Sequence, residues 1–113
     1  PDDAVQAADT AIKMVEFILE AYEQEDSIEK ANAIPRYVAQ KEEHAKIAKE
    51  TIVGIWTDYF KPEHIEKYPE LHELVWKVGK LGSHVKQNVD LEMAKAFKSA
   101  IQDVERIFWE TKK

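Results

Sequence analysis

The sequence predicts an all-α protein, an antiparallel four-helix bundle with short extra helical turns around residues 27–34 and 62–68. Three observations carry that expectation. Apolar residues recur at three- and four-residue intervals in four long stretches, the spacing that lines up one face of a helix. Alanine, glutamate and lysine dominate, and all three favour helix. Only three glycines and four prolines occur in 113 residues, too few for the turns of an all-β domain. A chain of this length reads as a single helical domain over 1–113, able to bury roughly two-thirds of its unfolded surface.

The first segment is expected from about Ala4 to Glu25, with Ala4, Ala8, Ala11, Ile12, Val15, Ile18, Leu19 and Tyr22 sharing one side. Asp2 and Asp3 stand where a helix N-terminus favours negative charge. Asp26 with Glu29 offers a capping-box restart. "SIEKANAIPRY" reads either as a short helix or as the opening of the next long one. Pro35 lacks an N–H and disfavours helical geometry at Ile34, so a kink or a fresh start is expected there. From Arg36 to about Tyr59 the stripe is Tyr37, Ala45, Ala48, Ile52, Ile55, Trp56 and Tyr59. "FKPEHIEKYPE" then turns the chain, with Pro62 and Pro69 suited to first helical positions. The third long segment, about Pro69 to Val85, has the cleanest pattern: Leu71, Leu74, Val75, Val78, Leu81 and Val85, with Gly82 suited to its C-terminal cap. The fourth opens at Asp90, a good N-cap, and runs to about Thr111 with Leu91, Ala94, Phe97, Ile101, Val104 and Phe108 inward.

Composition narrows the chemistry. Without cysteine there are no disulfides, thiolate metal sites or cysteine nucleophiles within the sequence. Twenty-two acids against sixteen bases leave a net charge of −6, which argues against a nucleic-acid partner. No apolar run approaches the roughly 20 residues of a membrane span, and no signal-peptide pattern opens the chain, so a cytoplasmic protein is expected. Pro1 is consistent with an initiator methionine removed before proline, or with a sequence cut to begin there.

Three of the four histidines fall between residues 62 and 84, among several glutamates. The spacing argues against a metal site. The residues three positions before each histidine are Lys41, Lys61, Pro69 and Leu81, so no Glu-x-x-His occurs, and no His-x-x-x-His either. His72 and His84 read as solvated edges of the third helix. His44 differs, because its wheel position lies within about 40° of Ala48. Tyr37, Lys41 and Thr51 share its line, a polar inner face that Glu20, Glu23, Asp90 and Glu92 would approach if the second helix began near Arg36. A satisfied interior histidine, with Lys41 snorkelling outward, is the plainer reading of the same line. No phosphate loop, nucleophile elbow or haem attachment appears.

Trp76 sits about 160° from the centre of its helix's apolar stripe, nearly opposite the core. His72, Gly79 and Ser83 share its side, and tryptophan beside a small residue suits an interface. The expected function is therefore a non-catalytic helical interaction or scaffold module, self-associating as a homodimer, with neither cofactor nor metal. The alternative is a small-ligand or metal-binding bundle whose pocket is built from Tyr37, Lys41, His44 and Thr51.

Overall fold

The computed structural model describes residues 2–113 (for Asp2, the backbone only), and Pro1 lies outside the described residues. The all-α expectation holds. Five helices follow one another: α1 (Asp2–Tyr22), α2 (Ile28–Asp58), α3 (Pro62–Lys67), α4 (Leu71–Gln87) and α5 (Leu91–Thr111). Among the described residues there is no strand, and no helix is long and apolar enough to cross a membrane.

The four long helices pack as a helical bundle in which α1 touches α2 and α5, and α4 touches α2 and α5. Side-chain pairs fix the register between neighbours. Lys49 Nζ donates to Ser83 Oγ at 3.0 Å and the Trp56 ring meets His72 at 5.7 Å, both between α2 and α4. Asp9 pairs with Lys98 at 2.7 Å between α1 and α5. The ends of α2 and α5 are tied together by Tyr59 and Thr111, whose hydroxyls lie 2.7 Å apart.

The core is made by the residues that the spacing selects. Ala4, Ala8, Ala11 and Val15 of α1 face Ala45, Ala48 and Ile52 of α2. Leu71, Val75, Val78 and Val85 of α4 meet Ala94, Phe97, Ile101 and Val104 of α5. Each large side chain hidden this way contributes about 1.5–3 kcal/mol. The alanines of α1 contribute less by area but let helix axes approach closely.

Several local expectations are corrected. Of the two readings of Pro35, the fresh start is excluded: α2 is one helix of 31 residues that continues through it. Its N-cap is Ser27, whose hydroxyl accepts from the Lys30 amide at 3.0 Å, while Asp26 receives Lys30 Nζ instead of making a capping box. The turn expected around 27–34 is thus the first part of α2, whereas the one around 62–68 exists as α3. Gly82 is not a cap. It is buried inside α4, where an added Cβ would stand 3.0 Å from Phe97 Cε1 and 3.3 Å from Lys49 Cβ, so glycine there permits the close contact of α4 with α2 and α5.

A consequence of the uninterrupted α2 is a projecting tip. The turn between α4 and α5 sits on α2 at Lys41, and no α2 residue before Lys41 is buried. The thirteen residues from 28 to 40, about 20 Å of helix, pair with the end of α1, while Ile34, Pro35 and Val38 also border Lys86 where α4 ends. Ile18 and Ala21 are buried in that pairing but lie outside the main core. Leu19 and Tyr22, expected inside, are exposed, because nothing stands above the hairpin to cover them.

Candidate functional site

The polar line of α2 does not converge on a pocket. Starting α2 at Ile28 moves His44 to mid-helix, opposite the first half of α1 and away from Glu20, Glu23, Asp90 and Glu92. Its neighbours are Asp3, Gln6, Ala7, Thr10 and Ile47, around a shallow groove of about 220 Å³. Its Nδ1 lies 2.8 Å from the carbonyl of Gln40, one turn back in its own helix. Thr51 likewise donates to its own helix, to the Ile47 carbonyl at 2.8 Å. Tyr37 meets α1 further along, its ring 5.4 Å from Phe17.

Lys41 departs furthest from expectation. It does not snorkel: only 2% of it is exposed. Its Nζ donates to the carbonyls of Lys86 at 3.0 Å and Asn88 at 2.8 Å, which are acceptors left free where α4 ends. A cation at a helix C-terminus also meets the negative end of the helix dipole. Burial pushes the ammonium below its ordinary value of 10.5, with the nearby Glu42 carboxylate partly opposing that. Lys41 is a fastener for the α4–α5 turn.

The same turn holds His84 and Asp90. Asp90 caps α5 by accepting from the Met93 amide at 3.1 Å, and its other oxygen lies 3.2 Å from His84 Nε2. The Met93 amide and then the His84 ring hold the Asp90 carboxyl below the ordinary carboxylate value. His84 is therefore half-buried and paired, a correction to the solvated edge expected for it. The six-residue spacing hides this pair from helical counting, since a turn intervenes.

At the opposite end an aromatic cluster joins α2, α3 and α5. Tyr59 stacks on His64 at 5.4 Å and meets Phe108 at 4.7 Å, and Phe60 stands edge-on to both His64 and Phe108. His64 Nδ1 accepts from the Lys61 amide at 3.0 Å, which fixes the ring over the start of α3. Lys112 Nζ covers Tyr59 at 4.6 Å, and Tyr68 bonds to Glu110, which raises the phenol's pKa. This cluster brings α3 to the bundle as packing.

The Trp76 side is as open as expected. The indole is 58% exposed, a Cβ on Gly79 would meet nothing within 4 Å, and Ser83 accepts from Lys49. Lys49, Val53, Val75, Trp76, Gly79, Lys80 and Ser83 line a recess of about 330 Å³ between α2 and α4. His72 stands off this recess, exposed, with its ring against Trp56.

For a metal, the donors are scattered. Among the described residues no three of His, Cys, Asp and Glu come together as a donor group. His84 with Asp90 is a pair without a third member, and the other histidines are held by a carbonyl, an amide or a ring.

Comparison with known proteins gives a single answer. The family model for nickel-containing superoxide dismutase matches residues 1–112. The curated nickel superoxide dismutase of Streptomyces coelicolor is 45% identical over 73 residues, 65% of this chain and 56% of that protein. The one from Streptomyces seoulensis is 44% identical over the same shares. In both cases the matched stretch spans a little over half the relative's length. A native nickel superoxide dismutase structure superposes with a TM-score of 0.86 and 34% identity, over 100% of this chain and 91% of that one. An apo structure gives 0.86 and 34%, over 99% and 95%. These matches overturn the expected non-catalytic interaction or scaffold module, since the relatives are metalloenzymes. The missing motifs pointed away from catalysis only because they belong to other enzyme classes.

Proposed function

The chain belongs to the nickel-containing superoxide dismutase family, and from that premise we propose that its protein dismutes superoxide with nickel. The observation that carries the proposal is the match of the family model to nearly the whole chain, supported by close superposition on the native enzyme. Disproportionation joins two superoxide anions with two protons, giving dioxygen and hydrogen peroxide, and a redox metal relays the electron between them.

The described residues do not fit nickel. They contain no cysteine and no three-donor cluster, and each histidine is already committed within the bundle. These side chains therefore carry no step of the reaction. Their part in the proposal is mechanical: one domain, four long helices in an antiparallel bundle, closed at one end by the aromatic cluster and at the other by Lys41. The opposed registers of α2 with α4, and the joined ends of α2 and α5, support that arrangement. Self-association through the Trp76 side and a cytoplasmic location complete the reading.

The test is nickel-dependent activity of the natural gene product. Grown with nickel, it is expected to carry the metal stoichiometrically and to suppress cytochrome c reduction by superoxide. A nickel-loaded product without dismutase activity, or a product selecting another metal, overturns the proposal. Calorimetric titration of residues 1–113 alone with Ni(II) is expected to show no tight stoichiometric site, because the donors are dispersed. A tight site there contradicts the donor geometry.

A further inference from the structure

The chain holds two sulfur atoms, both thioethers, in Met14 and Met93, and no cysteine that would react before them. Met14 stands at a boundary. On α1 the main core ends at Val15, and Ile18 and Ala21 beyond it are buried outside that core. Met14 is half-buried there, and with Ala33, Arg36, Tyr37, Ala39 and Gln40 of α2 it lines a recess of about 460 Å³. The short side chains of Ala33 and Ala39 leave the space, so a small neutral molecule reaches the recess without any part of the body opening.

The recess is also lined by donors. Arg36 makes no ion pair or hydrogen bond among the described residues, and the Tyr37 hydroxyl and the Gln40 side-chain amide likewise bond to no protein group there. No carboxylate lines the recess. A thioether is only a weak acceptor, so methionine as it stands gives these donors little to hold. Its sulfoxide is different, because oxidation turns a flexible apolar side chain into a polar one with an accepting oxygen.

We propose that Met14 is a peroxide-accepting modification site, oxidised to the sulfoxide and then held in the recess by Arg36 and Gln40, so that the α1–α2 hairpin keeps its packing. A lone pair of the sulfur attacks one oxygen of hydrogen peroxide. The S–O bond forms as the O–O bond breaks, and the other oxygen leaves as water with both protons. Sulfur gives up two electrons and the peroxide takes them. The peroxide is the product of the dismutation proposed above, and the inference rests on that reading for its source. Added peroxide tests the site whether or not the protein turns over superoxide, so the site and the dismutase reading fail separately.

The experiment treats the nickel-loaded gene product with hydrogen peroxide and maps the added oxygen by peptide mass spectrometry. Met14 is expected to gain one oxygen while far-ultraviolet circular dichroism stays unchanged. The Tm of the oxidised wild type is expected to fall by less than about 4 °C, the shift that one lost hydrogen bond produces in a domain of this size. Arg36→Ala with Gln40→Ala is expected to leave the reduced protein within the same margin, because both side chains are exposed and unengaged. Once oxidised, that double variant is expected to melt about 4 °C or more below its own reduced form, its sulfoxide having lost its donors. Met14→Leu is expected to abolish the peroxide-dependent shift, which separates Met14 from Met93 in the first turn of α5. Three results overturn the proposal: Met14 unmodified under conditions that oxidise free methionine, a shift that persists in Met14→Leu, or an oxidised wild type no more stable than the oxidised double variant.

Discussion

Lys41 shows how one side chain is read differently by a helical wheel and by its neighbours. On the wheel it is a charge on the inner line of α2, and snorkelling is the ordinary remedy. In the bundle the line ends under the α4–α5 turn, where the Lys86 and Asn88 carbonyls need donors, and the ammonium stays inside. Replacing it by methionine keeps the volume and removes both hydrogen bonds. Each buried carbonyl left without a donor costs about 1–3 kcal/mol, partly offset because a desolvated charge disappears. Lys41→Met is expected to lower stability by about 2 kcal/mol at neutral pH. The pH dependence has a definite sign. Burial lowers the folded pKa below 10.5, so the unfolded chain holds this proton more tightly, and wild-type stability rises with pH between the folded value and 10.5. Methionine cannot follow, and the gap between the two proteins widens in that window. Urea unfolding of both at pH 7 and pH 10 decides it: equal stability, or a gap that does not grow, contradicts the assigned role.

The helices divide by how much of each was legible in the sequence. For α4 and α5 the apolar spacing alone places the inner faces, because both are covered along their whole length, and Asp90 is recognisable as a cap. Its bond to the Met93 amide satisfies an N–H at the start of α5. Asp90→Ala is expected to lower stability at neutral pH, and Asp90→Asn to lower it less, since the amide oxygen still caps. The folded carboxyl titrates below 3.8, so the stability it contributes is present above that value and is lost as pH falls through the lowered one. Acid titration of unfolding should therefore close the gap between wild type and the alanine variant, and leave alanine and asparagine parallel to each other. Two positions were less legible, one in α2 and one in α4. Pro35 deletes one helical hydrogen bond, yet it sits in the tip, where α1 supports the helix on the other side. Gly82 has the composition of a cap, but its meaning depends on Phe97 arriving from α5, which no local pattern contains.

At the scale of the molecule, the apolar periodicity disclosed helices but neither their unequal reach nor the family. The family model matches residues 1–112, and the described side chains assemble no metal site that would mark the family locally. Unequal reach depends on where α2 begins, and that turned on Ser27 against Pro35. The outcome is a molecule 56 Å long and about 20 Å across, in which the start of α2 reaches past Lys41 and the α4–α5 turn. Stability should follow that layering. In the body, Phe97, Ile101, Val104 and Ile107 are wholly buried among other helices. In the tip, Ile18 and Ala21 are the buried residues of a single helix pair, and of the six carboxylates around them Asp26 is paired with Lys30 while a surplus of negative charge remains. Two helices alone are marginal in water, so the tip is expected to open without the body. Amide hydrogen exchange checks this directly. Amides of residues 17–38 are expected to exchange through local opening at least about tenfold faster than those of residues 97–107, which require global unfolding. Salt screens the carboxylates, so the tip's protection should rise with ionic strength while that of the body changes little. Uniform protection from end to end would mean that α1 and α2 hold each other as firmly as the full bundle does, and that the tip is no separate layer of stability.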